Sequence, residues 1–92
     1  MRERSVENYL TRLVELCGGL CLKFISPGNA GVPDRIVILN GHIWFVELKA
    51  PGRTEGSLQQ YMQDQIRSAG GRCITIDSRE AAAEFVGRLM SG

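Results

Sequence analysis

Gly31-Val32-Pro33-Asp34-Arg35-Ile36-Val37-Ile38-Leu39-Asn40-Gly41-His42-Ile43-Trp44-Phe45-Val46-Glu47-Leu48-Lys49 reads as two strands joined at Asn40-Gly41, the dipeptide that best tolerates the positive φ angles of a type I′ hairpin turn. If the turn takes those two residues alone, Leu39 faces His42, and counting outward sets Asp34 opposite Glu47. Two carboxylates then share one face of a sheet, with Cβ atoms roughly 4.5–5.5 Å apart. A three-residue loop would instead put Asp34 against Leu48 and turn it to the other face. Like charges directly opposed are destabilising, so the first register makes physical sense around a cation, and a divalent metal is the natural one.

Lys49 extends the pattern, because strand side chains two residues apart project the same way. Asp34 and Glu47 offer hard oxygen ligands for Mg²⁺ or Mn²⁺, and the Lys49 ammonium can orient an attacking water or offset charge on a phosphate. These are the parts needed for metal-dependent phosphodiester hydrolysis. The bland alternative is a surface hairpin with Glu47 and Lys49 as a solvated ion pair. Against it, Ile43-Trp44-Phe45-Val46 leads straight into Glu47 and has the continuous apolar character of a strand covered on both faces.

The remaining segments supply the frame. Val6, Tyr9, Leu10, Leu13, Val14 and Cys17 fall at helical spacing up to Gly18-Gly19, a helix with a glycine stop. Leu20 to Ile25 reads as a strand closed by Ser26-Pro27-Gly28-Asn29. After Pro51-Gly52, Ser57 is placed to cap a helix with apolar positions Leu58, Tyr61, Met62, Ile66 and Ala69, ended by Gly70-Gly71. Cys73-Ile74-Thr75-Ile76 is a short strand, and Asp77-Ser78-Arg79-Glu80 opens a last helix with Ala81, Ala82, Phe85, Val86 and Leu89 inward. The order is α-β-β-β-α-β-α. An antiparallel hairpin combined with a helical crossover predicts an α/β fold with a mixed sheet flanked by helices.

Bulk properties narrow the classes. At 92 residues the expectation is one domain, residues 1–92, with a modest core that dimerisation would help. No apolar run reaches the length of a membrane span, and Met1-Arg2-Glu3-Arg4 is not followed by a signal core, so a cytoplasmic protein without a membrane partner is expected. Net charge is only +1, yet nine of the eleven basic residues are arginine, the better bidentate partner for phosphate. Any basic surface is therefore local. Cys17, Cys21 and Cys73 form an odd set that reads as reduced, buried small hydrophobes; with His42 they lack the tight paired spacing of a zinc site. His42 itself reads as an exposed strand residue.

Read together, Ser5-Val6-Glu7-Asn8-Tyr9-Leu10, Cys17-Gly18-Gly19-Leu20, Lys23-Phe24, Ser26-Pro27-Gly28, Gly31-Val32-Pro33-Asp34-Arg35, Phe45-Val46-Glu47-Leu48-Lys49-Ala50-Pro51-Gly52 and a glutamine after Ser57 resemble, in order and over nearly the whole chain, a minimal stand-alone VRR-NUC domain of the PD-(D/E)XK nuclease superfamily. The resemblance implies a restriction-endonuclease-like fold and a metal-dependent DNA endonuclease. Small microbial and phage forms of the family are similar to Holliday-junction resolvases that act as homodimers, so the resemblance implies branched double-stranded DNA, Mg²⁺ or Mn²⁺, a homodimer, and work in a bacterial or phage-infected cytoplasm. A general flap or end-processing nuclease, or a non-catalytic DNA-binding module, are the alternatives. By position, Asp34 and Glu47 would bind metal, Leu48 would lend its backbone carbonyl, Glu7 would complete the acidic site from the first helix, and Lys49 would attend the water. The site glutamine is Gln59 or Gln60. At 100° per residue Gln59 lies beside Ile66 and near Met62 while Gln60 points away, which favours Gln59. The family's proline between serine and glutamine is replaced here by Leu58. Lys23, Arg35 and Arg53, with backbone amides of the Gly28–Gly31 loop, are candidates for phosphate contacts, which position DNA without reading sequence.

Overall fold

The structure, a computed structural model, describes residues 2–92. Its elements are α1 (Glu3–Leu16), β1 (Leu20–Lys23), β2 (Arg35–Leu39), β3 (His42–Leu48), α2 (Ser57–Ser68), β4 (Cys73–Ile76) and α3 (Arg79–Ser91). The strands form one sheet in the order β1-β2-β3-β4, antiparallel except for the parallel β3–β4 pair that α2 connects. The expected mixed sheet and element order are both present.

The hairpin turn takes two residues. Asn40 and Gly41 have φ of 50° and 81°, and Leu39 pairs with His42, so the side chains beyond them keep the register in which Arg35 faces Val46. Both α1 and α2 end on a glycine in the left-handed region. At α1, Gly18 (φ 86°) lets its own N–H reach the Glu15 carbonyl and the Gly19 N–H reach that of Val14, closing carbonyls the helix would otherwise leave open.

Alternation along the strands gives the sheet two unlike faces. On one, Cys21, Val37, Leu39, Val46, Leu48 and Ile76 meet Val6, Leu10 and Val14 of α1 and Ala82, Phe85, Val86 and Leu89 of α3 in a single buried cluster. Phe85 sets its ring edge-on to Trp44 at 5.6 Å between centroids, a favoured aromatic geometry. Each fully buried Val, Leu, Ile or Phe of the cluster contributes about 1.5–3 kcal/mol. On the other face α2 covers only the β4 side. There the rows Leu20–Ile38–Ile43 and Leu22–Ile36–Phe45 run across β1, β2 and β3, and Leu20, Leu22 and Ile43 remain exposed.

Some local readings need correction. β1 stops at Lys23, not Ile25, because its partner strand begins only at Arg35; one further bond, from Phe24 N–H to the Asp34 carbonyl at 3.0 Å, is all that continues the pairing. At α2 the cap residue is Gly56 and Ser57 is the first helical residue, since the Gln59 side chain reaches back to accept from the Gly56 N–H at 3.0 Å. Ser78 does cap α3, accepting from the Ala81 N–H at 3.0 Å. Cys21 and Cys73 are buried thiols whose pKa burial raises, but Cys17, just past the end of α1, is exposed. His42 is half-buried, with its Nε2 unpaired. Among the described residues, no helix is long and apolar enough to cross a membrane.

Candidate active site

Continuing the β2–β3 register one step beyond Arg35–Val46 sets Asp34 across from Glu47, as the two-residue turn requires. The chain holds them there by backbone means: the Leu48 N–H donates to Asp34 Oδ2 at 2.9 Å, and Pro33 before it is fully buried. Glu47 is itself 2% exposed. On the parallel side Glu47 pairs with Thr75, so Phe24, Asp34, Glu47 and Thr75 form a row on the α2 face beside the two apolar rows.

From α2, Gln59 turns inward and ties the row together. Its Nε2 donates to Glu47 Oε2 at 2.6 Å, and its Oε1 accepts from Lys49 Nζ at 2.7 Å as well as from the Gly56 N–H. The same Glu47 Oε2 lies 3.2 Å from Lys49 Nζ. Gln60, by contrast, faces solvent and bonds Asp64. The α2 position depends on a glycine. Gly31 has φ 86°, and a Cβ there would stand 2.7 Å from the Leu58 carbonyl oxygen, so the loop before Asp34 and the first turn of α2 touch through backbone. Gly31→Ala is expected to cost about 2 kcal/mol or more, combining left-handed strain with overpacking. A thermal melt would check it, and an unchanged midpoint would show that α2 is not seated as described.

Electrostatically the site is under tension. Burial, and next the Asp34 charge, push the Glu47 carboxyl up from 4.5 to about 7, while Lys49 pulls in the opposite direction. The other Glu47 oxygen, Oε1, is buried without a hydrogen-bond partner. A buried, unpaired carboxylate oxygen opposite a second carboxyl is the environment that a small divalent cation would relieve. Among the described residues, no group of three or more His, Cys, Asp and Glu side chains comes together as a metal cluster. Two carboxylates fit Mg²⁺ nonetheless, since that ion keeps several waters and is commonly held by one or two carboxylates plus substrate phosphate.

Glu7 stands apart from that pair. Its Oε2 accepts from Arg35 Nε at 2.7 Å, and Arg35 Nη1 donates to the Cys21 carbonyl at 3.0 Å. Both side chains are largely covered, at 18% and 14% exposure, so α1 is pinned to the start of β2 next to Asp34. Lys23 and Arg53 lie at the exposed surface. Two residues next to the site escaped the sequence reading. The Thr75 hydroxyl donates to Glu55 Oε1, the main reason that carboxyl sits below its usual pKa, and the buried Gln63 amide reaches Thr75 Oγ1 at 3.4 Å. A polar residue inside Cys73-Ile74-Thr75-Ile76 was the available signal for the first; nothing in a polar loop marked Glu55.

A mixed four-stranded sheet between helices in this order, with Asp34 facing Glu47 and Lys49 directly after the end of β3, defines the restriction-endonuclease-like class. No family model matches the chain. A solved structure described as a VRR_NUC domain is 30% identical and superposes with a TM-score of 0.84, over 92% of this chain and 94% of that one. A protein of Acyrthosiphon pisum secondary endosymbiont phage 1, named "Putative nuclease p44", is 42% identical over 84 residues, 90% of each chain. The chain belongs to the VRR-NUC family of nucleases.

Proposed function

We propose that the protein is a divalent-metal-dependent endodeoxyribonuclease whose active centre is Asp34, Glu47, Lys49 and Gln59, and that it cuts branched double-stranded DNA, four-way junctions above all, as a homodimer. The observation that carries this reading is the buried Glu47 carboxylate, with one oxygen unpaired and the other held by Gln59 and Lys49. A module without chemistry would gain by losing such a pair.

Asp34 and Glu47 would hold Mg²⁺ or Mn²⁺, with the Leu48 carbonyl as a backbone ligand. A bound ion supplies neutralisation of the scissile phosphate and a more acidic water. The rest falls to the chain. The Leu48 N–H fixes the Asp34 carboxylate, Gln59 orients both Glu47 and Lys49, and the Lys49 ammonium positions the nucleophile or offsets charge developing on the phosphoryl oxygens. Glu7 supports the acidic centre through Arg35. Lys23 and Arg53 are exposed and suited to flanking phosphates, whereas Arg35 would have to exchange its bonds to Glu7 and Cys21 to serve there. Such a DNA substrate fits work in a bacterial or phage-infected cytoplasm.

Incision of a synthetic four-way junction, with flap, nicked and linear duplexes alongside, in Mg²⁺, Mn²⁺ and EDTA, tests the reading. Metal-dependent paired cuts near the branch are expected. Preference for flaps or ends would assign the enzyme to end processing, and binding without incision in either metal would overturn the hydrolase.

One protomer carries one centre, and resolving a junction takes two matched cuts, which a C₂ dimer supplies. The uncovered sheet face, with Leu20, Leu22 and Ile43 and the neighbouring Leu58 and Tyr61 of α2 exposed, is the apolar surface a second copy would bury. A mass of two chains by light scattering at micromolar concentration is expected, falling to one in Leu22→Glu/Ile43→Lys. A wild-type monomer that still resolves junctions would refute the dimer.

A further inference from the structure

On the opposite layer from Gln59, Ser5, Asn8, Tyr9 and Arg12 of α1 and Arg79 at the start of α3 line an open hollow of about 390 Å³. Every lining group is a neutral donor or a cation. The Arg79 guanidinium lies over the Tyr9 ring, 5.2 Å from its centroid, which holds it toward the hollow at little cost in entropy. Among the described residues, neither Arg12 nor Arg79 forms an ion pair. Two guanidinium groups lining one recess repel one another unless an anion lies between them, and planar guanidinium forks suit phosphate oxygens.

The hollow is also at the working end of the molecule. Glu7, which directly precedes Asn8, is bonded to Arg35, the residue after Asp34. Arg79 begins α3 three residues after Ile76, which pairs with Leu48 between Glu47 and Lys49. Both helices therefore bring their lining residues to the sheet end that carries the acidic pair, from the other side of the sheet. The molecule is 20 Å across its shortest dimension, about six base-pair steps at 3.4 Å each. At that scale a duplex arm that turned over this sheet end would come within reach of the hollow.

We infer that this hollow holds a backbone phosphate of the DNA substrate, clamped by Arg12 and Arg79, and so fixes the direction in which a duplex arm leaves the cleavage centre. The inference rests on the nuclease reading and adds to it a contact remote from the chemistry. Ser5, Asn8 and Tyr9 complete a donor set for phosphate oxygens and offer nothing that reads a base.

The test is the affinity of the full chain for a labelled four-way junction in Ca²⁺, followed as a function of KCl, together with single-turnover incision in Mg²⁺ at saturating protein. Arg12→Gln and Arg79→Gln are each expected to weaken binding several-fold and to lower the slope of log affinity against log salt by about 0.9, the value for one released counterion set. The single-turnover rate should stay within about twofold. Arg79→Lys should keep the slope. Arg88→Gln, the same charge change at an exposed α3 position paired with Glu84, should leave affinity and slope unaltered. The inference is overturned if Arg12→Gln/Arg79→Gln binds like wild type, if Arg88→Gln has the same effect, or if deoxyadenosine monophosphate alone fills the hollow at micromolar concentration. Wild type that incises DNA while the arginine variants bind normally would sink the hollow and leave the nuclease standing. Slopes that fall as expected with no incision by wild type would do the reverse.

Discussion

If Asp34 holds the metal as proposed, Asp34→Asn is expected to lower strand cleavage by at least about a thousandfold, because loss of that ligand would remove several kcal/mol of transition-state stabilisation, and at the same time to make the metal-free protein more stable. Asp34→Ala and Glu47→Ala should abolish cleavage likewise, but the asparagine is the cleaner change: its amide oxygen can still accept from the Leu48 N–H that now binds Asp34 Oδ2. What disappears is the charge that, after burial, is the second cause of the raised Glu47 pKa. A carboxyl whose folded pKa is about 7 against 4.5 unfolded binds its proton more tightly when folded. Its stabilising contribution is thus complete below about pH 4.5 and is lost as pH rises through 7, by roughly 3 kcal/mol at most.

Melts in EDTA between pH 5 and 8 should therefore fall for wild type and fall less for Asp34→Asn, with a gain of about 1 kcal/mol for the variant at pH 8, or some 4–8 °C in a chain of this size. Adding Mg²⁺ should raise the wild-type midpoint, as an ion held only by the proposed folded site would, and leave Asp34→Asn where it was. Two readouts thus separate a lost ligand from a damaged fold. An Asp34→Asn protein that cleaves normally, or that gains as much from Mg²⁺ as wild type does, would show that the acidic pair is not a metal site.

How much of this was legible in the chain follows from which interactions are local. The Asp34–Glu47 juxtaposition was readable because a hairpin register is set by its turn, and Asn40-Gly41 admits the left-handed pair that a two-residue loop needs. Gln59 was legible through periodicity, although the α2 start was displaced by one residue because the glutamine caps its own helix from inside. The Glu7–Arg35 bond, spanning 28 residues, left no trace in spacing: an acidic residue in the second turn of a helix and an arginine after Asp34 each have ordinary solvent-facing explanations. Nor could spacing tell that β1 and β2 would leave a face uncovered, since alternating apolar residues in short strands look the same under a helix or under a second protomer. Glu55 came to Thr75 through a loop, where position is decided by tertiary packing.

Lys49→Ala is expected to leave junction affinity in Ca²⁺ within a few-fold of wild type while lowering the cleavage rate in Mg²⁺ by about a hundredfold or more. The Lys49 side chain is only 15% exposed, and its ammonium is held between Gln59 Oε1 and Glu47 Oε2, so its charge is committed to the centre rather than spread along a flanking strand. Salt dependence should accordingly change little, unlike that of the Arg12 and Arg79 variants. Removing the ammonium also removes the influences that oppose the rise in the Glu47 pKa, so the variant carboxyl ionises at higher pH and takes up metal less readily at neutrality. That indirect effect is separable: raising Mg²⁺ to saturation or the pH to 9 restores a metal-loading defect, but not a missing cation beside the reacting phosphate. A hundredfold loss that persists under both conditions assigns Lys49 to the chemical step. Full recovery at high Mg²⁺ would make it a tuner of Glu47, and tenfold weaker binding with a normal rate on bound DNA would make it an anchor for the substrate.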